Sequence, residues 1–253
     1  MAPGQNLEGR VAIVTGGGSG IGFAIASELA DRGARVVLAS RKAANVEGAA
    51  ERINELRPGA ATAIPTHVGH PDELEKLVDL TLEKLGRLDI VVNNAGTNFY
   101  SGATADADLS VFDKTFEVNV RGPYVLSCLA IRRYMADHGG SILNIASVGG
   151  VKARPGRGIY AITKAALIFM TKQLAVEVGG KGIRVNAIAP GLVRTGFSEP
   201  LLNDEAFLKH VLSRTALGRI GTVAEIARVA AFVVSDDAAY MSGEVLVLDG
   251  AGY

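Results

Sequence analysis

Three side chains in the second half of the chain have the types and spacing for acid–base chemistry. Tyr160 and Lys164 stand four residues apart in Tyr-Ala-Ile-Thr-Lys, and Ser147 precedes the tyrosine by thirteen residues. Residues four apart share one face of a helix, so the phenol and the ammonium could occupy one site. A free tyrosine has a pKa of about 10 and is a weak base at neutral pH, but a nearby cation lowers that pKa. The three residues therefore indicate a tyrosine acid or base, although an exposed Tyr-x-x-x-Lys pair also arises by chance.

The elements that would position these residues alternate between short apolar strands and helices. We predict strands over 11–14, 35–39, 60–66, 88–92, 141–145, 183–188 and 244–248. We predict helices over about 21–32, 43–57, 71–85, 108–117, 121–138, 158–178, 204–213 and 223–235. The alternation predicts a doubly wound α/β fold of Rossmann type, with a mostly parallel seven-stranded sheet and helices on both faces. We expect one domain over 1–253, with its functional residues at the carboxyl ends of the strands.

A glycine-rich turn follows the first strand. Gly16, Gly20 and Gly22 separate that strand from the first helix. Glycine permits a sharp turn and a close approach of the backbone to a ligand, and the N-terminus of a helix favours a phosphate. We interpret the turn, with Ser19 and Ile21, as a dinucleotide pyrophosphate site. The alternative is a tight strand–helix turn that needs glycine for its geometry alone.

The second strand ends in Ser40-Arg41-Lys42, and no acidic residue lies between Asp31 and Glu47. An enzyme that uses NAD usually places an acid at this position to bind the ribose hydroxyls. Arg41 and Lys42 could instead pair with a ribose 2′-phosphate. The sequence therefore predicts NADP (NADPH) as cofactor, with NAD less favoured. The alternative is that the two cations are solvated charges at the start of a helix.

From about residue 8 to its end, the chain resembles the short-chain dehydrogenase/reductase family. The motifs that carry the resemblance, in order, are Thr15-Gly-x-x-x-Gly-Ile-Gly22, Asn93-Asn-Ala-Gly96, Ser147, Tyr160-x-x-x-Lys164 and Gly243-Glu-Val-Leu-Val-Leu-Asp-Gly250. A looser similarity, through Ala39-Ser-Arg-Lys42, His67-Val-Gly69 and the segment 189–198, is to the branch of NADPH-dependent carbonyl and retinal reductases.

The resemblance implies hydride transfer between a nicotinamide and a small-molecule carbonyl or secondary alcohol. Ser147 would then stabilise the substrate oxygen, and Tyr160 would exchange its proton as general acid or base. Lys164 would lower the pKa of the tyrosine and bind the nicotinamide ribose. Asn119 matches the family's active-site asparagine, which holds a water in a proton relay; the alternative for Asn119 is a structural cap.

The resemblance also extends the set of cofactor-binding residues. The set comprises Gly16, Ser19, Gly20, Ile21, Gly22, Ser40, Arg41, Lys42, Val68, Asn94, Ala95, Gly96, Tyr160, Lys164, Pro190, Gly191, Val193 and Thr195. His67 stands where the family commonly has Asp, so we expect only the backbone of Val68 at the adenine. Residues of about 195–215 are expected to form a substrate lid. Its apolar wall would come from Phe197, Leu201, Leu202 and Phe207, although core packing would explain some of them.

Composition limits the possible partners and location. The 26 basic and 26 acidic residues cancel, which argues against a nucleic-acid partner. No apolar run approaches about 18 residues, so we expect no membrane-spanning helix, and no metal site is predicted. The chain has one cysteine, Cys128, which we expect in the core, and no signal-peptide pattern. A cytoplasmic protein is predicted.

Two other functions remain open at this point. One is a dinucleotide-sensing regulator without turnover, which we would expect to have lost Tyr160 or Lys164. The other is a reductase of carrier- or CoA-bound acyl chains, which would favour a basic docking patch. Weak candidates for such a patch are Arg132, Arg133, Arg154 and Arg157.

The apolar character of two helices predicts a homotetramer. The helices over 121–138 and 158–178 carry apolar residues around more than one face, so a second surface must be covered. The resemblance implies that these helices form one interface and that the C-terminal strand, with Tyr253, forms another. Two distinct twofold interfaces generate a D₂ tetramer.

Overall fold

The sheet of the protein contains seven strands, all parallel, in the computed structural model, which describes residues 6–252. The strands are Val11–Thr15 (β1), Arg35–Ser40 (β2), Ala61–Pro65 (β3), Ile90–Asn93 (β4), Gly140–Ile145 (β5), Ile183–Pro190 (β6) and Val245–Leu248 (β7). Their order is β3-β2-β1-β4-β5-β6-β7, and each neighbouring pair is parallel. This confirms the predicted doubly wound α/β fold.

Ten α-helices connect or follow these strands in the described residues. They are Gly20–Asp31 (α1), Ala43–Leu56 (α2), Pro71–Leu85 (α3), Leu109–Phe116 (α4), Gly122–Ala130 (α5), Ala136–His138 (α6), Gly158–Val178 (α7), Glu199–Leu202 (α8), Glu205–Arg214 (α9) and Val223–Val234 (α10). The predicted helices over 108–117 and 121–138 are in fact joined. π-Helical turns at Glu117–Arg121 and Ile131–Met135 make one nearly continuous rod from 109 to 138.

The strands are buried on both faces, which explains their near-continuous apolar sequence. In β1, Ala12 and Val14 pack in the layer that contains α1, α2 and α10. Ile13 points the other way, into the layer formed with α3, α5 and α7. Ile25 and Leu29 of α1 are fully buried in the first layer, as their spacing of four predicts.

Two expectations about apolar segments need correction. Helix α7 and its extension to Lys181 are long and apolar enough to cross a membrane by length and composition alone, with a mean hydropathy of 1.3. This helix packs against β6, however, and it carries Tyr160 and Lys164. We therefore assign it to the folded domain. Cys128 is only partly buried and is not a core residue as expected.

Candidate active site

A cavity of about 760 Å³ opens at the carboxyl ends of the central strands. β1 pairs with β2 on one side and with β4 on the other, so the direction of winding reverses there. In open α/β sheets such a switch point is where ligands bind. The cavity therefore lies where the fold predicts a site.

Most of the predicted site residues line this cavity. Those on its wall are Gly16, Ser19, Gly20, Ile21, Ser40, Arg41, Lys42, Val68, Asn94, Ala95, Gly96, Ser147, Tyr160, Lys164, Pro190, Gly191, Val193 and Thr195. Gly22 and Asn119 are the two members of the set that do not lie on the wall.

The glycine turn needs glycine for its geometry, which was the alternative considered from the sequence, and its role as a pyrophosphate site stays a prediction. Gly16 and Gly20 have φ angles of 66° and 56°, which favour glycine. A Cβ on Gly16 would lie 2.6 Å from the side-chain nitrogen of Asn94. A Cβ on Gly22 would overlap the carbonyl oxygen of Gly16, so Gly22 permits close packing of α1 behind the turn and does not face the cavity.

The N-terminus of α1 suits an anionic ligand. The cap residue Ser19 makes no side-chain hydrogen bond to the first turn, and that turn contains no acidic residue. Ser19, Gly20 and Ile21 all lie on the cavity wall. Because the first N–H groups of a helix have no partner within it, these donors fit a dinucleotide pyrophosphate.

The ends of β1 and β4 are tied together by Thr15 and Asn94. The Asn94 side chain donates to the Thr15 carbonyl oxygen at 2.8 Å, and the Thr15 hydroxyl accepts from the backbone N–H groups of Asn94 and Ala95, each at 3.0 Å. The asparagine therefore does more than form an ordinary turn, because it fixes one wall of the cavity.

A buried polar network lies behind β4 and β5. The Asn93 side chain donates to the Asn144 side-chain oxygen at 2.9 Å and to the Ser127 hydroxyl at 3.1 Å. Asn144 in turn donates to the Thr171 hydroxyl of α7 at 2.9 Å. Buried polar groups that are fully paired hold their elements in one arrangement. The network therefore sets α7, with Tyr160 and Lys164, relative to the sheet.

Asn119 lies in the π-helical turn after α4, fully buried. Its side-chain oxygen accepts from the Thr97 N–H at 2.8 Å, and its amide nitrogen donates to the Thr97 carbonyl at 2.9 Å and to the Thr163 hydroxyl at 3.0 Å. It is therefore not a helix cap, which was the alternative. These bonds use its amide group on protein partners beside the wall, and its role in a proton relay stays a prediction.

Ser147, Tyr160 and Lys164 meet on the cavity wall, as their spacing predicts. Ser147 directly follows the end of β5, where its hydroxyl accepts from the Gly149 N–H at 3.1 Å. The ammonium of Lys164 donates to the Ile145 carbonyl at 2.8 Å and lies 5.7 Å from the centre of the Tyr160 ring. Burial lowers the pKa of Lys164 to about 8.

Burial raises the pKa of Tyr160 above its ordinary value, and the positive charge of Arg157 and the nearby Ser147 hydroxyl act in the opposite direction. Arg157 and Lys164 both lie beside the tyrosine ring, with the guanidinium carbon 5.2 Å and the ammonium nitrogen 5.7 Å from its centre. That Lys164 lowers the pKa of Tyr160 stays a prediction.

Arg157 also lies on the cavity wall, although it was not among the predicted site residues. It stands three residues before Tyr160 at the start of α7, and its guanidinium carbon lies 5.2 Å from the centre of the tyrosine ring. Because residues three apart are neighbours on a helix, this spacing was the available signal. Other wall residues outside the predicted set include Asn45, His67, Thr97, Phe99 and Val118.

The predicted lid forms two short helices, α8 and α9, after Thr195. The Ser198 hydroxyl donates to the Val193 carbonyl and accepts from the Thr195 N–H at 3.0 Å, which fixes the start of this segment. Phe197 and Leu201 lie on the cavity wall. Leu202 and Phe207, also expected there, do not, and movement of the segment stays a prediction.

Comparisons with known proteins agree with this site. The sequence model of a family described as "Enoyl-(Acyl carrier protein) reductase" matches residues 16–253. "Dehydrogenase/reductase SDR family member 4" of Caenorhabditis elegans is 37% identical over 97% of this chain and 96% of its own length. "Tropinone reductase-like 3" of Erythroxylum coca is 38% identical over 98% of this chain and 94% of its own length.

A solved structure shares the fold closely. The structure of a short-chain type dehydrogenase/reductase from Mycobacterium ulcerans superposes with a TM-score of 0.94 at 32% identity, covering 97% of this chain and 90% of that chain. The all-parallel seven-stranded sheet, the glycine turn and the Ser–Tyr–Lys wall agree with these matches. The chain belongs to the short-chain dehydrogenase/reductase family and is an oxidoreductase that acts on CH–OH or C=O groups with a nicotinamide cofactor.

Proposed function

We propose that the protein is an NADP(H)-dependent reductase of small carbonyl compounds, similar to the carbonyl and retinal reductase branch. The observation that carries the proposal is the position of Tyr160 and Ser147 on the wall of the same cavity as the glycine turn. When bound, NADPH supplies the hydride that reduces the carbonyl carbon, and it leaves as NADP⁺. In the reverse direction a secondary alcohol would be oxidised, with NADP⁺ as the hydride acceptor.

The side chains on the wall account for the other half of the reaction. The Ser147 hydroxyl donates a hydrogen bond to the carbonyl oxygen and stabilises its developing negative charge. Tyr160 gives its phenolic proton to that oxygen, which completes the alcohol. A tyrosine whose pKa burial raises is protonated at neutral pH, as an acid in the reductive direction must be. Lys164 would bind the nicotinamide ribose.

The charges at the far end of the cavity support the preference for NADP(H). Arg41 and Lys42 lie on the wall, and neither forms an ion pair with an acidic residue in the part of the chain that the structure describes. No Asp or Glu lines the described wall to accept ribose hydroxyls. Two unpaired cations at this position favour a 2′-phosphate.

The matching family, described as "Enoyl-(Acyl carrier protein) reductase", favours a second candidate, a reductase of carrier-bound acyl chains. Two of the four arginines considered for a docking patch are already engaged, because Arg133 pairs with Glu75 at 2.7 Å and Arg154 donates to the Gly252 carbonyl. A third, Arg157, lies on the cavity wall. A carrier protein would therefore find few free cations there, which favours free small-molecule substrates. The silent regulator is disfavoured because both Tyr160 and Lys164 are in place.

A screen of carbonyl substrates tests these proposals. Ketones, aldehydes and carrier-bound acyl chains would each be offered with NADPH and NADH, and cofactor oxidation followed at 340 nm. We expect turnover of free carbonyls with NADPH. The Tyr160→Phe variant should lose turnover at least a hundredfold but bind NADPH with unchanged affinity, since the ring remains and only the proton donor goes. Near-normal rates in that variant would contradict the role of Tyr160.

We further propose a homotetramer, for which exposed apolar residues provide the support. On α5 and α7, Tyr124, Phe169 and Val176 are 49%, 68% and 84% exposed. All four residues of β7, which ends the sheet, are only partly buried. These surfaces match the two interfaces expected of the family, while Tyr253 lies outside the described residues. A cytoplasmic location without nucleic-acid or membrane partners also stays a proposal, which cell fractionation would test.

A further inference from the structure

The cation beside Tyr160 has no partner within the described chain. The side chain of Arg157 makes no hydrogen bond there, and no carboxylate lies within 4 Å of its guanidinium. Its neighbour Arg154, in contrast, points away and donates to the Gly252 carbonyl at 3.0 Å. Arg157 is partly buried, so its charge is held in a site with limited access to water. A partly desolvated cation without a partner is costly unless a bound anion compensates it.

Arg157 precedes Tyr160 along α7 and Lys164 follows it. Their Cα positions are therefore about 10 Å apart along the helix axis, while their charged groups lie 5.2 and 5.7 Å from the centre of the tyrosine ring between them. Lys164 contacts the Ile145 carbonyl at the end of β5, on the side where the dinucleotide is expected. Arg157 therefore belongs to the outer, substrate half of the cavity.

The remaining wall of that half is apolar. Phe197 packs on Tyr160 with ring centres 6.1 Å apart, and Phe99 and Leu201 complete the lining. The described wall includes no acidic side chain to repel an anion. One fixed cation among apolar groups recognises a small molecule that has an apolar body and one negative charge.

We propose that Arg157 binds the carboxylate of the substrate, and that the preferred substrates are short oxo acids and the corresponding hydroxy acids. This inference rests on the proposed function, since it names the substrate class for the same site. The guanidinium presents two parallel N–H groups that match a carboxylate. Its proximity to the phenol places that carboxylate within a few bonds of the carbonyl that accepts the proton. A specificity-determining role for Arg157 follows.

The test compares acids with their esters, which keep the ketone and remove the negative charge. The probes are benzoylformate and acetoacetate against methyl benzoylformate and ethyl acetoacetate, each with saturating NADPH. The variants are Arg157→Gln, Arg157→Lys and the matched control Arg154→Gln, which removes a charge from the same loop but not from the wall. Binding of benzoate, which cannot be reduced, is measured by calorimetry in the presence of NADP⁺.

We expect the unmutated protein to prefer each acid over its ester. In Arg157→Gln, kcat/KM for the acids should fall about tenfold to a hundredfold more than kcat/KM for the esters. Arg157→Lys should keep part of the preference, and Arg154→Gln all of it. Benzoate binding should weaken by the same factor in Arg157→Gln only, whether or not any carbonyl is reduced.

Three outcomes would overturn the inference. One is turnover of esters and acids at equal efficiency by the unmutated protein. Another is an equal loss for acids and esters in Arg157→Gln, together with a shifted pH profile, because that would make Arg157 a positioning residue for Tyr160. The third is unchanged benzoate binding in Arg157→Gln. If nothing is reduced but benzoate binding depends on Arg157, the proposed reductase function fails and the anion site stands.

Discussion

The buried Lys164 makes a quantitative prediction about stability. Lys164 is only 3% exposed, and this burial lowers the pKa of its ammonium group from 10.5 to about 8. At pH 7 the lysine is charged in both the folded and the unfolded chain, so folding must desolvate that charge. This difference in pKa corresponds to about 3 kcal/mol of unfolding free energy. The lysine proposed to act in the site therefore destabilises the folded protein.

Replacing Lys164 with methionine should remove this cost. Methionine has a similar length and no charge, but it loses the hydrogen bond to the Ile145 carbonyl, which costs about 1–3 kcal/mol. At pH 7 we expect Lys164→Met to be more stable than the unmutated protein by about 1–2 kcal/mol, with turnover lost.

The pH dependence of the difference is the stronger test. Between pH 8 and 10.5 the unfolded lysine keeps its proton while the folded one has lost it, so the unmutated protein gains stability as the pH rises. The unfolding free energy of the unmutated protein should rise by about 1.4 kcal/mol for each pH unit in this range. The advantage of Lys164→Met should therefore shrink above pH 8 and reverse by about pH 10.

Urea unfolding followed by far-UV circular dichroism at pH 7, 8, 9 and 10 would measure this difference. The subunit concentration is held constant, because subunit association contributes to apparent stability. The control is Lys76→Met, which removes an exposed lysine from α3. A stability difference for Lys164→Met that does not change with pH would refute the reasoning.

Two further predictions concern the cofactor and the assembly. Arg41→Ala should weaken NADPH binding by about tenfold or more and leave NADH binding unchanged, as measured by nicotinamide fluorescence, because one charge-assisted phosphate contact is lost; tighter binding of NADH than of NADPH by the unmutated protein would contradict it. Phe169→Glu, at a site that is 68% exposed, should convert the proposed tetramer into smaller species in light scattering at micromolar concentration, since a charge would be buried in the interface. A monomer of 26.3 kDa in the unmutated protein would instead exclude the tetramer.

The strands could be predicted from the sequence because parallel strands buried on both faces are continuous runs of apolar residues. β1 illustrates this, since all five of its residues are buried. Its end at Thr15 was missed by one residue, because Thr15 is polar and pairs with Asn94 instead of with a core residue. The motifs at strand ends also placed Ser147, Tyr160 and Lys164 on one wall, since a parallel sheet brings its carboxyl ends together.

Other features of the site depend on contacts that no local pattern encodes. Gly16 and Gly22 look alike in the sequence, but one lies on the wall and the other packs behind it. Lys164 bonds to the Ile145 carbonyl, nineteen residues away, so its effect on Tyr160 could not be judged from spacing. Arg157 was considered only as a surface charge, because its spacing of three residues from Tyr160 does not by itself show that its side chain faces the cavity.

The π-helical turn that holds Asn119 has a consequence for how the chain between 109 and 138 packs. An α-helix advances about 100° per residue, so the extra residue of a wide turn rotates all that follows by about that angle. Upstream of the turn, α4 packs on α7, and downstream α5 packs on α3. Each segment can thus present its own apolar stripe to a different neighbouring helix. A one-residue deletion there would put the two stripes out of phase and turn Asn119 away from Thr97, so this stretch has a fixed length although it contains no loop.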